Sequence, residues 1–115
     1  METTMARPEG LKVDVQSTGI KMNPYIQKKV DGMVKTLTQF VPQIEKVEVQ
    51  FQEIEGKVQD QRSVTVRLDV PGFRMESTDS EVRWKIAIRN VEKKLLRQLE
   101  RRKQAIERET AERAL

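Results

Sequence analysis

Leu11, Val13 and Val15 alternate with Lys12, Asp14 and Gln16, a period of two that predicts a half-buried strand. Ser17 to Lys21, with Gly19 inside it, predicts the turn that follows. The period then changes: Ile26, Val30, Met33, Val34, Leu37 and Phe40 or Val41 recur along one helical stripe. Asn23-Pro24 ahead of them is a helix start, because an asparagine side chain accepts from a free amide and proline is preorganised for the first turn. A helix of about four to five turns, stopping near Pro42, is expected. Next, Val47, Val49 and Phe51 alternate with Glu48, Gln50 and Gln52. After a polar turn over residues 56–61, Val64, Val66, Leu68 and Val70 alternate with Thr65, Arg67 and Asp69, which predicts an antiparallel pair. Pro71-Gly72 predicts a tight turn into a short last strand, with Phe73 and Met75 on one side and Arg74 and Glu76 on the other.

Thr78 and Glu81 fit a capping box that opens a second helix from about Asp79 to beyond Lys103. Trp84, Ile88, Val91, Leu95 and Leu99 form its apolar stripe, with Ala87 on the flank, so Trp84 is assigned to the core. The order β-α-β-β-β-α describes an α+β fold: a four-stranded sheet, its first two strands parallel across a helix, with both helices packed on one face. The other sheet face is left open, where Arg62, Arg67 and Arg74 are expected to balance Asp69 and Glu76.

A chain of 115 residues with 37% apolar content supplies one modest core. The expected organisation is a polar leader over residues 1–10, a single binding domain over 11–103 and a polar helical or frayed tail over 104–115. No run of about 18 apolar residues could span a bilayer, and METTMARPEG lacks the apolar centre of a secretory signal, so a cytoplasmic protein without a membrane partner is expected. Zero cysteines and zero histidines exclude disulfides, thiolate metal sites and the commonest general base. With no glycine-rich phosphate loop either, the expectation is no enzyme, no metal, no cofactor and no small-molecule substrate.

Charge changes the picture most. Residues 1–82 carry 11 basic and 13 acidic side chains, whereas residues 83–115 carry 11 basic and 5 acidic ones. Clustered cations repel unless counter-charge arrives, and nucleic acid is the obvious source. Arg89, Lys93, Arg97 and Arg101 follow one another at four-residue spacing, joined by Lys94 and, a turn earlier, Arg83; only Glu92 and Glu100 dilute the block through Lys103. Such a ridge suits phosphates along an RNA backbone, because each cation releases condensed counterions and arginine grips phosphate in a fork. Lys28, Lys29 and Lys35 on the first helix extend it into a two-helix platform.

The segments LKVDVQSTGIKMNPYIQKKVDGMVKTL, QIEKVEVQF, SVTVRLDVPG and above all AIRNVEKKLLRQLERRK resemble the family of ribosome hibernation promoting factors and the ribosome-associated inhibitor protein Y, over about residues 11–103. The most specific portion is Ala87-Ile88, Val91, Lys94-Leu95 and Arg97-Gln98-Leu99. The resemblance, to the short form without a second dimer-forming domain, implies the same strand and helix order. It implies binding to the small ribosomal subunit, its 16S-type rRNA and neighbouring ribosomal proteins, in the channel of messenger and transfer RNA, so that translation is inhibited under stress or in stationary phase. By position, Lys94 and Arg97 match the family's RNA-facing motif directly, and Arg101, Arg102 and Lys103 match its basic helix end more loosely. The chain departs from the family motif DMYAAID, having Arg83-Trp84-Lys85-Ile86-Ala87-Ile88-Arg89 there, and has Gly32 and Met33 where lysine is usual. Two other readings stay open: a double-stranded-RNA reader, and a protein-interaction module using the open sheet face.

Overall fold

The computed structural model describes residues 10–18 and 20–114, without the side chains of 106, 107 and 109–114; the expected leader lies outside it except for Gly10. Strand β1 spans Lys12–Thr18, helix α1 Pro24–Phe40, strands β2, β3 and β4 Lys46–Ile54, Gln61–Val70 and Phe73–Glu81, and helix α2 Trp84–Ala114. The sheet order is β1-β2-β3-β4. β1 pairs parallel with β2, Val13 opposite Val47, and the other two pairings are antiparallel. This is the α+β arrangement that the periodicities predict.

Local chemistry accounts for each boundary. Asn23 Oδ1 accepts from the Ile26 amide at 2.9 Å and Pro24 fills the first helical position, so α1 starts where its cap sits. Its face of Ile26, Val30, Met33, Val34 and Leu37 is buried. Gly72 takes φ +92° in the β3–β4 turn, a backbone conformation that favours glycine. Val47, Val49 and Phe51 on β2 lie opposite Leu68, Val66 and Val64 on β3, and all six are essentially inaccessible. Ala87, Ile88, Val91, Leu95 and Leu99 of α2 join the same core. Each such side chain removed from water contributes about 1.5–3 kcal/mol before conformational costs.

Two boundaries correct the sequence reading. β1 continues through Thr18, because parallel pairing with β2 extends to Thr18 opposite Gln52. The larger correction is at β4, which runs to Glu81 rather than stopping near Glu76, so Thr78 and Glu81 belong to a strand and form no capping box. The ten-residue β3 offers backbone partners all the way to Arg62 opposite Glu81, and an unpaired ladder would cost more than the helical turn gains. Thr78 Oγ1 lies 2.9 Å from Thr65 Oγ1 across the strands. The inner positions Ser77, Asp79 and Glu81 are polar, which hid the strand's alternation.

Trp84 is only partly buried. It packs edge-on to Phe51, ring centroids 5.3 Å apart, at the margin of the core, and the Arg62 guanidinium lies 6.0 Å from its ring. Arg62 is therefore on the helix side of the sheet, not the open face; it also donates to the Val82 carbonyl and lies 3.6 Å from Glu53.

Candidate nucleic-acid interface

Helix α2 has 31 residues, about 46 Å at 1.5 Å per residue. Among the described residues its last buried side chain is Leu99, and the helix continues to Ala114. The start of α2 is electrostatically unusual. No acidic residue stands in its first turn, and Arg83 and Lys85 flank the positive end of the helix dipole. Cations there cost a few tenths of a kcal/mol each, roughly 0.3–1 at most, a local penalty that a purely structural helix has no reason to carry.

All eleven predicted contact residues, Lys28, Lys29, Lys35, Arg83, Arg89, Lys93, Lys94, Arg97, Arg101, Arg102 and Lys103, are exposed. They do not form one uniform ridge. Arg89 and Lys93 take the outer side of α2. Lys93, Arg97 and Glu100 line a groove of about 660 Å³ between the helices, opposite Thr36, Gln39 and Phe40 of α1, with Leu96 in its floor. Lys29 lies seven and eleven residues before Thr36 and Phe40, hence on the flank of α1 that faces α2, and its ammonium is 5.5 Å from the Tyr25 ring. Lys28 and Lys35 are one heptad apart on the outer side of α1.

Besides Lys29, three of the eleven have described partners. Lys94 Nζ donates to Asp79 Oδ1 at 2.9 Å and to the Thr78 carbonyl at 3.0 Å, so it clasps α2 to β4 while its side chain stays about half exposed. Asn90 Nδ2 completes the clasp by donating to Asp79 Oδ2 at 3.0 Å and Glu81 Oε1 at 3.2 Å. The Arg102 guanidinium stacks 3.8 Å from the Phe73 ring centroid and Lys103 Nζ lies 5.6 Å from that of Phe40. No described carboxylate lies within ion-pairing distance of the other ten; Lys94 alone is paired. Sequence reasoning overlooked Lys85, an exposed member of the same basic block, and the apolar groove floor: the α1 stripe includes Phe40, but the α2 stripe leaves Leu96 without a place.

The open sheet face is different in kind. Arg67 bonds Glu76 at 2.7 Å and approaches Glu48 at 3.9 Å, Lys46 bonds Glu48 at 2.7 Å, and Arg74 bonds Asp69 at 3.2 Å. The hydrogen bond from Lys46, then its charge, holds the Glu48 carboxyl below its ordinary value; the bond to Glu48 raises Lys46, and that to Glu76 raises Arg67. This face is charged but self-neutralised, whereas on the α1–α2 face the cations outnumber the acids and, Lys94 apart, form no ion pair among the described residues, with Glu100 the one carboxylate lining the groove. Among the described residues no helix is long and apolar enough to cross a membrane, and no group of acidic residues is placed to hold a metal ion.

Comparison with known proteins bears on the fold and the family. A search of curated proteins finds no match. Among solved structures, a ribosomal subunit interface protein from Coxiella burnetii superposes with a TM-score of 0.70 at 14% identity, covering 80% of this chain and 97% of that one. The Protein Y N-terminal domain of Thermus thermophilus gives 0.64 at 18% identity, covering 78% and 93%. At such identities these two establish the shared fold. The profile of one family matches residues 13–107, nearly all of the folded chain, and bears out the hibernation-factor resemblance: the protein belongs to the Sigma 54 modulation protein / S30EA ribosomal protein family.

Proposed function

We propose that this chain is a non-catalytic, cytoplasmic ribosome hibernation factor that binds rRNA of the small ribosomal subunit through its α1–α2 face. It occupies the channel of messenger and transfer RNA and so inhibits translation under stress. The observation that carries the reading is the contrast between the two faces: ten exposed cations with no described acidic partner on the helices, against a self-neutralised open sheet. Family membership supports the ribosome as partner, and the Coxiella relative is itself described as a subunit interface protein. The groove between α1 and α2 offers Lys93 and Arg97 to a phosphodiester chain, with the single acid Glu100 beside them.

Sedimentation of the protein with purified small subunits tests the reading. Pelleting with the subunit, lost when messenger and initiator transfer RNA are loaded first, is the expected result. Equal retention on naked duplex RNA would point to a duplex reader. Binding indifferent to salt would point to protein contacts through the open sheet.

A further inference from the structure

The two ends of the sheet are complementary to each other. At one end, the β2–β3 loop presents Val58, 99% exposed, beside Ile54, 43% exposed. Residues 55–60 hold Glu55 and Asp60 against Lys57, a formal −1, and Glu53 at the end of β2 is paired with Arg62. The loop is folded rather than slack: a Cβ on Gly56 would overlap the Gln59 carbonyl oxygen, and the Gly56 amide donates to Asp60 Oδ1 at 3.4 Å. Only glycine allows this close return, and it leaves Val58 at the apex.

At the other end lies a cleft of about 540 Å³, walled by Val41, Pro42, Val70 and Pro71 and rimmed by Arg102 and Lys103, with no carboxylate in its lining. Among the described residues its edge is cationic, where the loop is apolar with an acidic edge. The Phe73 and Phe40 rings in this cleft are already covered by Arg102 and Lys103. Aliphatic walls without a free ring face suit a branched side chain better than a nucleobase.

The loop joins β3 at Gln61 and the cleft begins at Val70, the opposite ends of a ten-residue strand. At about 3.3 Å per residue they are some 30 Å apart, so a loop cannot reach the cleft of its own chain.

We propose that the cleft receives the Glu53–Asp60 loop of a second copy of this chain, giving a head-to-tail association. The contact is heterologous: a pair keeps one unused loop on one copy and one unused cleft on the other, and so can add further copies. One loop in one cleft falls short of the roughly 1,200–2,000 Å² of a standard stable interface, so association is weak and reversible.

Sedimentation equilibrium at low salt, without RNA, tests this with three proteins: the parent, Val58→Asp, and Arg102→Glu with Lys103→Glu, each checked for folding by thermal melting. The parent's average mass should rise above 13.4 kDa with concentration, while each variant alone stays monomeric. A mixture of the two variants retains one sound loop and one sound cleft. It should form pairs and stop at twice the chain mass. A parent that stays monomeric up to about 1 mM, the weak end of measurable affinity, would overturn the proposal. So would variants that associate like the parent, or a mixture of folded variants that stays monomeric. Because RNA is absent, failure here leaves the ribosome reading untouched, and the reverse also holds.

Discussion

Lys94 Nζ donates to Asp79 Oδ1 at 2.9 Å, joining the middle of α2 to the inner side of the edge strand β4. Asp79 is well shielded, its side chain 16% accessible, while Lys94 is about half exposed. The pair therefore belongs to the fold before it belongs to any ligand. Lys94→Met should lower stability by about 1–2 kcal/mol, since a shielded carboxylate loses one charged donor while Asn90 remains. A double-mutant cycle with Asp79→Asn, followed by denaturant unfolding, should return a coupling of about 1 kcal/mol. Additive effects would show that the contact contributes nothing.

Trp84→Ala should cost about 3 kcal/mol, the low end for deleting an aromatic, because the ring sits at the margin of the core against Phe51 and is partly open to water. Thermal unfolding reads the effect. A variant that melts like the parent would show that the edge contact with Phe51 holds nothing in place.

Most of the fold was legible because the apolar alternation of β2 and β3 and the stripes of both helices survive unaltered into the core. The end of β4 was not legible. Ser77, Asp79 and Glu81 point inward yet are polar, and their partners Asn90 and Lys94 are about ten to sixteen residues away on another element, invisible to local spacing. The same blind spot hid the acidic partner of Lys94: helical spacing groups it with the exposed cations, where it does lie, but only the long β4 brings an acid beside it. The charge imbalance after residue 82 pointed to the face that the structure leaves unpaired, but not to the groove floor of Phe40 and Leu96.

The ion pairs of the open sheet face give a pH signature of their own. Glu48 titrates below its ordinary value when folded, so its contribution is present above the unfolded carboxylate range and is lost as pH falls through the folded value. Lys46, raised by the same bond, contributes below the unfolded lysine value and loses it only as pH rises through the folded one. Melting temperatures from neutral to acid pH should therefore fall more steeply for the parent than for Lys46→Met. Added salt should narrow the difference because the pair is solvent-exposed. Parallel curves would mean that the pair does not act.

Lys93→Glu with Arg97→Glu should leave stability nearly unchanged, each exposed substitution costing under about 0.5 kcal/mol, because neither residue touches a described carboxylate or the core. Affinity for small subunits should fall by about tenfold or more per residue, as favourable phosphate contacts of about 1.5–3 kcal/mol become repulsive ones. A matched reversal of Lys12 and Lys57, which lie away from the helices, should bind nearly as the parent does. Equal binding by the two double variants would remove the α1–α2 face from the account.

The measurement closest to the central claim is the salt dependence of small-subunit binding for the parent and for Lys93→Glu with Arg97→Glu. Each phosphate neutralised steepens log affinity against log salt by roughly 0.7–0.9. The account predicts a steep linear decline for the parent and a slope shallower by about 1.4–1.8 for the double variant, two contacts fewer. Equal slopes for the two proteins, or a flat response in the parent, would contradict it.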